Sequence, residues 1–178
     1  MAVQKYVPIE FEKVEIMNRG TFKNFSGTPG RNNTTGQRYF NFYIKDEVQA
    51  LDMIQDGFYV TEDRYGLEDG EPSRYRVKVI INPNSNYPPA IATVNKKGKI
   101  VEYDIKNYPD SINVLDRLNI NWATVIANPS ENSHDPGRYV LYLREFFGET
   151  ETGESLVDRY KSDFEISPEY EDEELPFN

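Results

Sequence analysis

The sequence predicts a mainly β protein, built as a small barrel with one or two short helices and a disordered acidic tail. Three observations lead there. Segments of alternating apolar and polar residues recur along the first 148 residues, broken by Gly, Pro and Asn clusters. Helical spacing is confined to two short stretches. Charge is divided unevenly: Glu149 to Asn178 holds eleven acids against Arg159 and Lys161, a balance of −9, whereas residues 1–148 balance at −1. The expected organisation is therefore a domain over 1–148 and a tail over 149–178.

The strands justify themselves in order. Val14 to Phe25 reads as extended, placing Arg19, Thr21, Lys23 and Phe25 on one face. Arg38 to Ile44 sets Phe40, Phe42 and Ile44 toward a core and Tyr39, Asn41 and Tyr43 away from it. Asp46-Glu47-Val48-Gln49 looks like a capped helix start, with Val48, Leu51 and Ile54 as its inward stripe and Gly57 as its stop. Arg74 to Ile81 turns Tyr75, Val77, Val79 and Ile81 inward and Arg74, Arg76 and Lys78 outward. Ile91 to Val94 and Lys99 to Ile105 follow as strands, and Ser111 caps a second short helix over Ile112 to Leu118. Ile120 to Ala127, with Trp122 in core parity, and Arg138 to Phe147 complete the set. Phe22 is assigned to the core with Phe40 and Phe42. Many short strands with long loops favour an OB-like five-stranded or elaborated barrel over a sandwich.

Composition removes several function classes. With no cysteine, disulfides and thiolate metal sites are impossible. The single histidine, His134, sits in a turn-like Asn128–Gly137 stretch and lacks partners for a zinc site. The N-terminus has no apolar secretory core and no run is long enough to span a bilayer, so a cytoplasmic location is expected. No nucleophile motif occurs, and Asp104-Ile105-Lys106 precedes Pro109-Asp110, the wrong order for a common metal-dependent nuclease. The expectation is a protein that is not an enzyme and needs neither metal nor cofactor.

Two acid-free windows carry the functional signal. Ile16 to Lys45 contains Arg19, Lys23, Arg31, Arg38 and Lys45, interleaved with Phe22, Phe25, Tyr39, Phe40, Phe42 and Tyr43. Pro72 to Val101 contains Arg74, Arg76, Lys78, Lys96, Lys97 and Lys99. Eleven of the eighteen cations of residues 1–148 are gathered there. If the strands adjoin, their outer face is cationic and studded with rings. Single-stranded nucleic acid suits that surface, because cations follow phosphates while bases stack on aromatic planes whatever their identity. The expected contacts are Arg19, Lys23, Arg31, Arg38, Arg74, Arg76, Lys78, Lys96, Lys97 and Lys99 for phosphates, and Phe25, Tyr39 and Tyr43 for bases. The polar loop Ser26 to Gln37, with Gly27, Gly30 and Gly36, reads either as a finger placing Arg31 on a phosphate or as a plain long hairpin. It is no phosphate-binding P-loop, since Gln37 stands where Lys is required.

A resemblance appears at these residues. Lys23-Asn24-Phe25-Ser26-Gly27, Pro29-Gly30-Arg31-Asn32, Arg38-Tyr39-Phe40, Asp56-Gly57-Phe58, Tyr75-Arg76-Val77-Lys78-Val79, Tyr87-Pro88-Pro89-Ala90-Ile91, Ile120-Asn121-Trp122 and Gly137-Arg138-Tyr139-Val140-Leu141 resemble phage-encoded single-stranded DNA-binding proteins of OB fold, over roughly residues 14–147. That implies coating of transient single strands during DNA replication, recombination or repair. The end of the chain, Glu171-Asp172-Glu173-Glu174-Leu175-Pro176-Phe177, is similar to the acidic tips by which such proteins recruit partner enzymes, although Asn178 displaces the terminal carboxylate by one residue. An acidic tail can also compete for its own protein's cationic groove. Two other readings stay open: a nucleic-acid mimic that blocks a DNA-binding enzyme, and a single-stranded RNA binder.

Overall fold

Alternation of buried and exposed residues produces the strands, and a barrel absorbs their apolar faces. The computed structural model of the chain describes residues 7–151. The strands are β1 (Ile9–Ile16), β2 (Lys23–Asn24), β3 (Arg38–Ile44), β4 (Val60–Asp63), β5 (Arg74–Ile81), β6 (Ala90–Asn95), β7 (Ile100–Tyr103), β8 (Ile120–Glu131) and β9 (Tyr139–Thr150). One α-helix, α1 (Glu47–Gln55), and 3-10 helices at Gly20–Phe22 and Pro109–Asp116 complete the elements. The expected boundary at residue 148 falls inside β9, and the expected partner contacts Glu171 to Phe177 lie outside the described residues.

The strand order β5-β3-β1-β8-β9 closes on itself, because β5 and β9 pair in parallel through Val79–Leu141 and Ile80–Tyr142. This is the five-stranded Greek-key barrel of the OB fold, as expected. β4 extends the sheet at β5, and β6 follows β5 along the same edge of β9, from Ala90–Glu145 to Asn95–Thr150, with β7 beyond it. Inside lie Phe25, Phe40, Phe42, Val79, Val125, Leu141 and Phe146, with Phe25 stacked on Phe40 at 5.4 Å and Phe146 edge-on to both. Ala50 and Met53 of α1, and Ile112 and Leu115 of the second 3-10 helix, are buried against this core.

Four expectations need correction. The continuous strand Val14 to Phe25 is broken by the 3-10 turn at Gly20–Phe22, where Gly20 has φ +57°. The turn swings Phe22 out of the core and buries Lys23 instead. On α1 the stripe Val48, Leu51 and Ile54 faces outward; the helix approaches the barrel through the small Ala50 and the pliable Met53. Trp122 also leaves the core. A bulge between Ile120 and Trp122 shifts the β8 register, so Ala123, Val125 and Ala127 face inward and Trp122 and Ile126 do not. The second helix begins at Pro109 with Tyr108 as its N-cap, so Ser111 lies within it.

Candidate nucleic-acid interface

The outer face of β3 and β5 assembles the site. These strands pair along their whole length, with Asn41 opposite Lys78 and Tyr43 opposite Arg76. Their pleat sends Tyr39, Asn41 and Tyr43 outward beside Arg74, Arg76 and Lys78. Cations lean diagonally over rings: the Arg74 guanidinium lies 3.6 Å from the Tyr43 centroid, and the Lys78 ammonium 5.1 Å from Tyr39.

The 3-10 turn supplies a third ring. Asn41 Nδ2 donates to the Phe22 carbonyl (2.9 Å) and Tyr39 Oη to the Thr21 carbonyl (2.7 Å), pinning the turn to β3. Phe22 is thereby held between Arg19 (4.6 Å) and Arg76 (4.9 Å). Arg19 also covers Tyr65 at 4.0 Å.

One carboxylate organises these cations. Asp63 on β4 accepts from Arg19 and from Tyr43 Oη, each at 3.2 Å, and lies 3.7 Å from Arg76 Nε, with its side chain only 10% exposed. Tyr43 Oη in turn accepts from Arg19, and that hydrogen bond is the main cause of a raised Arg19 pKa. Glu15 pairs with Arg74. Lys78 reaches Gln37 Oε1 at 3.4 Å, and desolvation lowers its pKa. Sequence parity does not find Asp63, because β4 is short and lacks an apolar alternation; the register Asp63–Arg74 brings it into the face.

Beside this face runs a groove of about 660 Å³, between Asn32–Thr35 on one side and Tyr59 and Tyr139 on the other, with Phe22, Tyr39, Arg76 and Lys78 along it. Its loop wall is a folded structure, not a free finger. Asn33 donates to the carbonyls of Thr28 and Gln37 and accepts from Gln37 N, and Gly30 pairs with Asn33. Gly27 has φ +67°, and a Cβ there would lie 2.6 Å from the Gly36 carbonyl oxygen, so the loop neck requires glycine. On the opposite wall Arg138 stacks on Tyr59 at 4.1 Å, a pair that strand parity alone does not reveal.

Of the residues expected to bind, Arg19, Tyr39, Tyr43, Arg74, Arg76 and Lys78 converge here, and Arg31 is exposed on the adjoining loop. Six do not join them. Phe25 is fully buried and has no face for a base. Lys23 is 7% exposed, and its ammonium donates to Asn18 Oδ1 (2.8 Å) and the Leu118 carbonyl (2.5 Å); desolvation lowers its pKa to about 8. Arg38 braces β3 to the second 3-10 helix, donating to the carbonyls of Phe25 and Pro109, to Asn113, and to Asp110 at 2.7 Å. Lys96, Lys97 and Lys99 occupy the β6–β7 turn, next to the Thr150 end of β9, whereas the groove meets β9 at Tyr139–Leu141.

Fold and geometry define an OB barrel whose second and third barrel strands carry a cationic, aromatic face, flanked by the loops before β3 and before β9. That is the face such barrels use for oligonucleotides. A family model described as "Putative phage ssDNA-binding domain" matches residues 1–165, and the chain belongs to that family. The crystal structure of gp2.5, a single-stranded DNA binding protein encoded by bacteriophage T7, is similar at 9% identity and a TM-score of 0.38, over 87% of this chain and 93% of that one. No curated protein matches. Among the described residues no helix is long and apolar enough to cross a membrane, and no cluster of metal-ligating side chains occurs.

Proposed function

We propose that the protein binds single-stranded DNA without sequence preference, through the outer face of β3 and β5 and the adjoining groove, during phage DNA replication and recombination in the host cytoplasm. The observation that carries this reading is the row of rings Phe22, Tyr39 and Tyr43, each already covered by a cation. A cation over an exposed ring contributes roughly 0.5–1 kcal/mol. A base stacked on the same ring contributes roughly 1–3 kcal/mol. Binding is then an exchange: bases take the rings, and the displaced guanidinium and ammonium groups move to the phosphates between them. Backbone and stacking contacts ignore base identity, so oligo-dT and mixed sequences bind alike.

The acidic tail competes for this face and recruits replication or recombination proteins through Glu171, Asp172, Glu173, Glu174, Leu175, Pro176 and Phe177. Because β9 runs to Thr150, the truncation that tests competition removes residues 152–178 and leaves the barrel whole. Tighter binding at low salt, converging with the full chain at high salt, is expected. Equal affinity at both would refute competition. Titration of the full chain with oligo-dT, oligo-U and duplex DNA tests the reading itself; preference for the duplex would overturn it, and preference for oligo-U would favour an RNA ligand.

A further inference from the structure

A second cleft, about 470 Å³, adjoins the face described above and is lined by Lys13, Glu15, Tyr43, Lys45, Arg74 and Trp122. Tyr43 and Arg74, the last stacked pair of that face, form its near wall. Pairing of β1 with β3 puts Glu15 beside Tyr43, and pairing of β1 with β8 puts Val14 beside Ala123, which sets Trp122 next to Glu15. Tyr43, Glu15 and Trp122 thus form one lateral row over three strands. Trp122 lies two strand spacings, roughly 10 Å, from Tyr43.

Two irregularities build this arrangement. The β8 bulge turns Trp122 outward. On β1 the register shifts between Phe11 and Val14, and Lys13 adopts φ +44°, the one non-glycine residue with positive φ among the described residues. A lysine in that conformation costs roughly 1–2 kcal/mol. Its ammonium lies 5.2 Å from the Trp122 ring centroid. The indole is further oriented by Nε1–H donation to Glu149 Oε2 at 3.2 Å, and Phe147 lies 6.3 Å away, itself exposed. Strain and a bulge on neighbouring strands, both aiming at one half-exposed indole, mark a functional position.

We infer that Trp122 is a further base-stacking station, which takes the strand as it leaves Tyr43 and crosses β1 and β8. The inference rests on the reading given under Proposed function and extends its path. The charges facing this cleft cancel: Lys13, Lys45 and Arg74 stand against Glu15, Glu47 and Glu149. The station therefore contributes stacking and adds little to salt dependence.

Trp122 is the only tryptophan in the chain, so its emission reports this station alone. Full-length protein is titrated with oligo-dT of about four and about twelve nucleotides, near the ends of the range an OB barrel covers. Anisotropy of a labelled oligomer follows binding independently. The longer oligomer is expected to quench the indole, and the shorter, held by the cation-rich groove, to leave it unchanged. Trp122→Ala is expected to weaken the longer oligomer roughly 5- to 150-fold and the shorter one not at all. Trp122→Phe keeps a stacking plane and retains most of the affinity, and it supplies the variant if the alanine protein does not fold. Saturated binding of the longer oligomer with unchanged emission would overturn the station and leave the main groove standing. No anisotropy change with either oligomer would overturn both.

Discussion

Substituting Arg76 tests the assignment of the phosphate-binding cations quantitatively. Arg19, Arg74, Arg76 and Lys78 line one face, and four neutralised phosphates on a single strand give a slope of log affinity against log salt of about −2.8. Between 50 and 200 mM salt that slope weakens binding about 50-fold. Arg76→Ala removes one cation and one guanidinium from Phe22. Its slope is expected near −2.1, with only about a 20-fold loss over the same interval. Lys96→Ala, on the far β6–β7 turn, is the matched control and is expected to keep the wild-type slope. Anisotropy of labelled oligo-dT at several salt concentrations measures both. An unchanged slope for Arg76→Ala, or a reduced one for Lys96→Ala, would refute the placement of the strand on β3 and β5.

Four further outcomes are expected. Tyr39→Ala should weaken oligo-dT binding by roughly 1–3 kcal/mol with the salt slope intact, as equilibrium titration would show. Asp63→Asn keeps the size of the side chain while removing its negative charge and one of its two acceptors, which serve Arg19 and Tyr43 on one oxygen and the Tyr65 N–H on the other, so affinity should rise several-fold at low salt and converge with wild type at high salt. Lys23→Met strands the Leu118 carbonyl and removes one of the two donors to Asn18 Oδ1, which keeps the Ile120 N–H, costing about 1–3 kcal/mol of stability in urea unfolding while the folded protein binds normally. In the wild type, Lys23 gives up its proton near pH 8 when folded and near 10.5 when unfolded. The unfolded state therefore binds more protons across that window, so stability rises with pH there, by at most about 3 kcal/mol relative to Lys23→Met.

Much of the barrel is legible because β3 and β5 pair over their whole length without a bulge. Phe40, Phe42, Val77 and Val79 face in, while Tyr39, Tyr43, Arg74 and Arg76 face out, as period-two reading requires. The site residues misplaced by sequence follow a different logic. Parity counted through Gly20–Phe22 carries Lys23 and Phe25 outward, but a 3-10 turn there resets it. Period two from Ile120 points Trp122 inward, but one inserted residue in β8 reverses the count. Bulges and short turns leave no periodic trace of their own, so a single residue inverts everything beyond it. Arg38 illustrates another limit: it is expected on a phosphate, yet it shares the inward parity of Phe40 and Phe42, and its long side chain reaches four acceptors near the second 3-10 helix. Asp63 and the Arg138–Tyr59 pair depend on contacts between distant segments, which local patterns do not encode.

Photo-crosslinking of the full chain to oligo-dT, followed by mass-spectrometric mapping of the joined residues, addresses the central claim most directly. Crosslinks at Phe22, Tyr39 and Tyr43 are the predicted result, since those rings would hold the bases. Crosslinks confined to other surfaces, such as the β6–β7 turn or the outward stripe of α1, would contradict it.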